Sequence, residues 1–390
     1  MAATSGSSSS GASNKSPGLG GKSGAALLQV IRDDEQSAQL PPGLTAEVAK
    51  RMYEGMIAVR VYDERSLKLQ RSGRIGFCVT SFGEEATQIG TVAALEEKDW
   101  IYPSYRQYGV AMYRGVSLAH MAAHLYGNAD DLAVGRQMPA HYTFADKNFV
   151  SISSVIGTQI IQAVGTAMAA QYKGDDVVSA TYFGDGATSS NDFHSALTFA
   201  GVSKAPVLFF LVNNQYAISL PVEKQSGLDE LYRKGLGYGV HSVRVDGNDV
   251  VAVYQATKEA AERARKGQGP TFLELLTYRA GSHSSSDDPS RYRSKEEMDY
   301  WKSRDPIERM KKYLQQLGLW SEAYETYTWE NARDKINQAT SDAEKTSQPA
   351  WETLFDHVYA DLPPHLAAQR DELMKNESDL KLTNEGEFPL

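Results

Sequence analysis

The chain has 390 residues, 41% hydrophobic and 23% charged, with a formal net charge of −9 and one cysteine, Cys78. The acidic balance leaves no general basic footprint for nucleic acid, and no apolar run of about 18 residues offers a membrane span. A lone cysteine excludes an intramolecular disulfide framework or a cysteine-cluster zinc site, and fits a reducing compartment.

Residues 1–26 hold eight Ser and six Gly, too little apolar surface to offset the entropy of ordering, and read as a disordered tail. They lack the apolar core of a secretory signal, and with Lys15, Lys22 and no arginine they do not resemble a mitochondrial presequence. A bacterial-type cytoplasm is the expected compartment, or a mitochondrial matrix if the source is eukaryotic.

From Thr45 to Gln70, Val48, Met52, Met56, Val59 and Leu67 recur at helical spacing. Further helices are expected over Glu84–Glu96 and Ser117–Tyr126, with a strand end or loop at Ile101–Arg106. Residues 127–157 look irregular, and a loop of that length is usually functional or partner-bound. Thr158–Tyr172 reads as a small-residue helix, Val177–Phe183 as a strand, and Asp192–Gly201 as a helix with Asp192 as its N-cap. Pro206–Val212 is wholly apolar, as in a buried parallel strand. A strand at His241–Val245, a helix over 249–266 and a strand at Thr271–Tyr278 follow. Strands alternating with helices predict an α/β fold, a doubly wound parallel sheet flanked by helices. The expected organisation is a helical extension over 27–80, an α/β domain over 81–293, a second helical extension over 294–363 and a polar tail over 364–390.

Gly184-Asp185-Gly186 follows one predicted strand, and Asn213-Asn214 follows the next. Asn214 lies twenty-nine residues after Asp185, the length of a crossover helix and a return strand. Both residues then sit at the carboxyl ends of adjacent parallel strands, where open α/β sheets bind ligands. A carboxylate and an amide oxygen aimed at one point suit magnesium, which completes its octahedron with water and substrate phosphates. The glycines let backbone approach a phosphate, and a helix N-terminus just after the loop favours the anion.

This pattern resembles the thiamine diphosphate enzymes. The chain from about Arg51 to about Pro363 is similar to the alpha subunit of the decarboxylating component of 2-oxoacid dehydrogenase complexes. The resemblance runs through Phe82-Gly83-Glu84-Glu85-Ala86, Tyr105-Arg106, Gly135-Arg136-Gln137-Met138-Pro139, Gly184-Asp185-Gly186-Ala187-Thr188, Asn213-Asn214, Tyr216-Ala217-Ile218-Ser219, Val245-Asp246-Gly247 and Tyr278-Arg279. Ser282-His283-Ser284 to Asp287-Asp288, with Tyr292-Arg293, looks most like the branched-chain branch. The resemblance implies thiamine diphosphate, Mg2+ held by Asp185, Asn214 and the backbone oxygen of Tyr216, and a monovalent-cation (K+) site at Ser153, Thr158 and Gln159. It implies diphosphate contacts from Tyr105 and Arg106, cofactor-lining positions at Ser154, Ile156, Gly184, Gly186 and Ala187, and His283 as the catalytic histidine near the diphosphate. Phe77, Tyr105 and Ser154 would wall the substrate pocket. His194 reads as structural. Ser284 matches a serine that a kinase modifies in animal members.

Three departures stand out. Val212 occupies the place of an arginine that reaches the diphosphate in animal members. Ser190-Asn191 replaces Glu-Gly, and Ser104 replaces a glutamine. The implied reaction is oxidative decarboxylation of a branched-chain 2-oxoacid with transfer of the acyl group to a lipoylated acyltransferase core. The glutamate that activates the cofactor lies on a separate beta subunit in this family, so an α2β2 heterotetramer is implied. A pyruvate or acetoin dehydrogenase alpha subunit is the alternative enzyme. A catalytically inactive scaffold is the non-enzymatic one, against which the joint presence of Asp185, Asn214, Arg106 and His283 argues. A nicotinamide-dependent oxidoreductase is disfavoured, because no Gly-x-Gly-x-x-Gly opens a βαβ unit.

Overall fold

Apolar runs in the sequence become strands buried on both faces. The computed structural model describes residues 26–32, 38–356 and 358–376. The expected N-terminal tail, apart from Ala26, lies outside the described residues, as does 377–390. Strands β1 (Trp100–Tyr102), β2 (Ser179–Gly184) and β3 (Val207–Asn213) are followed by a small antiparallel ribbon, β4 (Tyr216–Ala217) with β5 (Leu220–Pro221), then by β6 (His241–Asp246) and β7 (Thr271–Leu276). The main sheet is parallel throughout, in the order β1-β2-β3-β7-β6.

All seven residues of β3 are buried. Leu208 and Phe210 point into one hydrophobic cluster, Val207, Phe209 and Leu211 into another. That two-sided burial is why the strand reads as a continuous apolar run instead of an alternating one. The first cluster packs α1 (Ala46–Arg71), α2 (Glu85–Ala94) and α8 (Val250–Arg265) against the sheet. The second packs α5 (Thr158–Lys173) and α6 (Asn191–Ser203) on the opposite face. Between α2 and α5 come the short α3 (Tyr108–Tyr113) and α4 (Leu118–Tyr126), and α7 (Arg233–Leu236) precedes β6.

The connection β2–α6–β3 crosses the sheet in one direction, and β6–α8–β7 crosses it in the other, with the two helices on opposite faces. The winding reverses between β3 and β7, and the crevice outside the strand ends there is the place where such sheets take ligands.

After the sheet come α9 (Lys295–Lys302), α10 (Pro306–Gln316) and α11 (Glu322–Ala343). Ile307, Met310 and Leu314 of α10 and Ile336 of α11 join the same cluster as α1 and the sheet, so both helical extensions share the core of the α/β domain. Residues 127–157 hold one 3-10 turn, Ala145–Lys147, yet Tyr142, Phe144, Phe149 and Ile152 are buried in that core. Two expectations change. The N-cap of α6 is Ser190, whose Oγ accepts from the Phe193 amide at 3.2 Å; Asp192 lies inside the first turn. Within the expected C-terminal tail, Pro364–Asn376 forms a helix, α12, opened by a proline whose fixed φ suits a first turn.

Candidate functional site

A cleft of about 540 Å3 opens at the carboxyl ends of the strands. It gathers residues from four strand exits: Tyr105 and Arg106 after β1, Gly184 to Ala187 at the end of β2, Asn214 and Tyr216 after β3, and Arg279 and His283 after β7. Ser154, Ile156 and Gln159 enter from the segment before and into α5. The other expected residues lie elsewhere. Phe77 is half-buried against the main core, and Ser153 and Thr158 do not line the cleft. Ser153 Oγ accepts from the Val155 amide (3.1 Å) and the Thr158 hydroxyl donates to the Val155 carbonyl (3.2 Å), so they close one turn. Gln159 Nε2 donates to the Tyr182 carbonyl at 2.8 Å.

Asp185 is 1% exposed. Its Oδ2 accepts from the neutral amide of Gln225 at 2.5 Å, and burial pushes its pKa up. A desolvated carboxylate with a neutral partner favours a cation beside it. Asn214 Nδ2 donates to Glu84 Oε1 at 2.7 Å. The Tyr216 carbonyl accepts from Arg279 Nη1 at 3.1 Å and keeps a second lone pair. Among the described residues no three His, Cys, Asp or Glu side chains converge. The donor set in the cleft is one carboxylate with amide and carbonyl oxygens, which suits a hard divalent cation sharing its shell with phosphate.

Room for an anion is present as well. A Cβ on Gly184 would meet nothing within 4 Å, whereas one on Gly186 would meet the Ala217 Cβ at 2.9 Å. The first glycine leaves open space; the second is required by packing. The turn after β2 is a 3-10 segment, Asp185–Ser189, with α6 beginning only at Asn191. Any anion there meets the backbone of that turn before it meets the helix end.

Positive charge comes from buried guanidinium groups. Arg106 Nη1 donates to the Thr80 carbonyl (2.7 Å), and Nη2 donates to the His283 carbonyl (2.6 Å) and to His283 Nδ1 (3.1 Å). Arg279, 1% exposed, donates from Nη2 to the Ile218 carbonyl (2.6 Å) and the Tyr292 hydroxyl (3.0 Å). Carbonyls, an imidazole and a phenol accept these bonds, and the buried Glu84 acts on both charges only through space. Val212, by contrast, is a 1% exposed strand residue paired with Gly184 and Leu275. Arg279 supplies a cation to the cleft that Val212 does not.

Because Arg106 only donates, His283 Nδ1 accepts and the ring proton rests on Nε2. Burial, and then the charges of Arg106 and Arg279, bring the imidazole down to about 4. In the cofactor-free protein its NMR titration is expected near that value, and to move upward when inorganic diphosphate is added, with His283→Gln identifying the signal. A midpoint near 6.5 that diphosphate does not move would contradict this environment. The ring's contribution to stability is present above pH 6.5 and is lost as the pH falls towards 4, since the unfolded chain binds the proton first.

Four residues were not legible as site residues in the sequence. Glu84 and Gln225 bond the side chains of Asn214 and Asp185, and Arg279 bonds the Tyr216 carbonyl. His141 Nδ1 donates to the Pro139 carbonyl (3.2 Å), so its Nε2 accepts the Ser154 hydroxyl at 2.5 Å.

Residues 53–352 match the family model described as dehydrogenase E1 component. The chain belongs to that family. The alpha subunit of mitochondrial 2-oxoisovalerate dehydrogenase from Caenorhabditis elegans is 44% identical over 342 residues, covering 87% of this chain and 79% of its own. The human alpha subunit of the same name is 43% identical over 349 residues, covering 89% and 77%. That from Dictyostelium discoideum is 41% identical over 365 residues, covering 92% and 82%. The matched E1 region contains every residue placed in the cleft.

Proposed function

We propose that this E1 chain is the alpha subunit of a branched-chain 2-oxoacid dehydrogenase, using thiamine diphosphate and Mg2+. The observation that carries the reading is the convergence of Asp185, Asn214, Arg106 and His283 on one cleft at the winding reversal of the sheet. The names of its relatives favour 3-methyl-2-oxobutanoate and its branched homologues over pyruvate. Asp185, Asn214 and the Tyr216 carbonyl would hold the metal; Arg106, Arg279 and the turn after Gly184 would hold the diphosphate. Bound there, thiamine diphosphate would supply the carbon nucleophile and electron sink for decarboxylation. The chain's own part is to orient that group, to keep water from the reacting centre, and to hold or release a proton at His283 Nε2. Ile156 at the cleft wall would prop the cofactor, and a monovalent cation at Ser153, Thr158 and Gln159 would order the turn before α5.

Two residues that line the cleft are apolar and exposed, Ile156 (48%) and Ile218 (57%). Such a rim supports a second subunit covering it, in an α2β2 assembly that hands its acyl group to a lipoylated acyltransferase. Either reducing compartment, bacterial cytoplasm or mitochondrial matrix, fits this role.

The test is carbon dioxide release by the chain alone and with its cognate beta subunit, from 3-methyl-2-oxobutanoate, 4-methyl-2-oxopentanoate and pyruvate. No turnover above background is expected from the chain alone, and turnover from the assembly. Robust activity of the lone chain would refute the divided site. Pyruvate preferred by an order of magnitude in kcat/KM would overturn the branched-chain assignment, because pockets differing by a methylene discriminate by only about 1–3 kcal/mol.

A further inference from the structure

We infer that Glu84 and Gln225, neither of which lines the cleft, are positioning residues that aim the side-chain oxygens of Asn214 and Asp185 at a divalent cation. This rests on the reading above, in which that pair holds the metal of a diphosphate cofactor.

An asparagine amide has an oxygen end and a nitrogen end of nearly equal size. Left alone, Asn214 could present either to the cleft. Glu84 decides between them. Its Oε1 accepts from Asn214 Nδ2 at 2.7 Å, so the nitrogen faces Glu84 and the oxygen is turned away from it; the Tyr216 amide, 3.4 Å from Oδ1, agrees with that orientation. Glu84 is itself held in place. Gly83, at φ +88, packs so closely that a Cβ would meet the Tyr278 carbonyl at 2.3 Å. The Gly83 carbonyl accepts from the Thr277 hydroxyl at 2.9 Å, and the Phe82 carbonyl from the Ala280 amide at 2.8 Å. The exit of β7 thereby fixes the residue that orients the exit of β3.

Asp185 has the converse arrangement. Gln225 Nε2 donates to Asp185 Oδ2 at 2.5 Å and to the Leu220 carbonyl at 2.9 Å. Both acceptors demand the nitrogen end, so the Gln225 amide cannot turn over. Oδ2 is engaged, and Oδ1 is the oxygen left for a metal. A carboxylate aims an amide, and an amide aims a carboxylate. The remaining atoms, Glu84 Oε2 and Gln225 Oε1, are buried without hydrogen-bond partners. Orphaned polar atoms of this kind are rare in folded proteins and call for a compensating role.

The experiment uses the complete alpha–beta assembly. Mg2+ is titrated at fixed thiamine diphosphate, and cofactor binding is read by quenching of tryptophan fluorescence. Glu84→Met and Gln225→Met remove the orienting partner and are expected to raise the half-saturating Mg2+ concentration by about 10- to 100-fold, the usual effect of removing a partner of a metal ligand. Glu84→Gln keeps an acceptor oxygen for Asn214 Nδ2 and is expected to stay close to wild type. Thermal unfolding without metal checks that each variant folds; if Glu84→Met does not, Gln225→Met on the opposite ligand decides alone. Unchanged Mg2+ dependence in the methionine variants would overturn the inference. Equal losses in Glu84→Met and Glu84→Gln would also overturn it, because charge and not aim would then be at work. A wild-type assembly whose thiamine diphosphate binding ignores Mg2+ would instead overturn the proposed cofactor.

Discussion

Asp185→Asn is expected to lower turnover of the alpha–beta assembly on the order of 10³-fold, while leaving the metal-free protein at least as stable as wild type. The two effects have one cause. Asp185 is buried beside a neutral amide, and burial pushes its carboxyl above the ordinary value of 3.8. Below pH 3.8 the protonated group costs the fold nothing. As the pH rises above 3.8 the unfolded chain ionises first, and the ionised form destabilises the metal-free fold as the pH passes the elevated value. Asparagine keeps the shape and removes the charge. A cation restores the balance in wild type only. Losing one anionic ligand forfeits several kcal/mol of charge stabilisation, and each 1.4 kcal/mol is about tenfold in rate. The measurement is thermal unfolding with and without Mg2+ and thiamine diphosphate. Wild type should gain stability on loading and Asp185→Asn should not; equal gains would remove Asp185 from the metal site.

His283→Ala is expected to reduce acyl transfer to the lipoyl domain by about 10²- to 10⁴-fold, the range for loss of a positioned acid–base group. Its effect on Mg2+-dependent cofactor binding should be small. The separation follows from how Arg106 is held. Arg106 Nη2 donates to the backbone carbonyl of His283 at 2.6 Å as well as to the ring, and the Asp287 carboxylate accepts from the His283 amide at 2.7 Å. Both backbone contacts survive the substitution, so the loop and the arginine stay in place while the imidazole is removed. Carbon dioxide release with an artificial electron acceptor, compared with lipoyl acylation, locates the step. Full lipoyl acylation by the variant, with cofactor affinity unchanged, would take the histidine out of the chemistry.

Much of the fold was legible because burial on both faces of the sheet leaves long apolar strings, as in Val207–Asn213. Thr45, Ser117 and Asp249 cap α1, α4 and α8 at the starts their sequence positions suggest. The cap of α6 was less clear because Ser190, Asn191 and Asp192 are all capable of the role, and only the path of the turn after β2 selects Ser190. In the site, Asp185 and Asn214 could be found because a crossover has a characteristic length. Glu84 could not: it reaches Asn214 across 130 residues, and no local spacing encodes that meeting. Gln225 reaches the Asp185 carboxylate and Arg279 the carbonyls of Tyr216 and Ile218 from other loops, and His141 reaches Ser154 out of an irregular segment without a periodic signature. Phe77, which the resemblance puts at the substrate wall, is half-buried against the core and does not line the cleft.

The cleft is assembled from the exits of β1, β2, β3 and β7, and side chains tie those exits together: Arg106 after β1 bonds His283 after β7, and Arg279 after β7 bonds the Tyr216 carbonyl after β3. A change at one of these tied positions is therefore felt at a second exit. Ser104 is different, because its hydroxyl donates to Gln107 Oε1 within its own turn at 2.6 Å. Such a loop tip lets selection try new contacts at one corner while the tied positions stay as inherited.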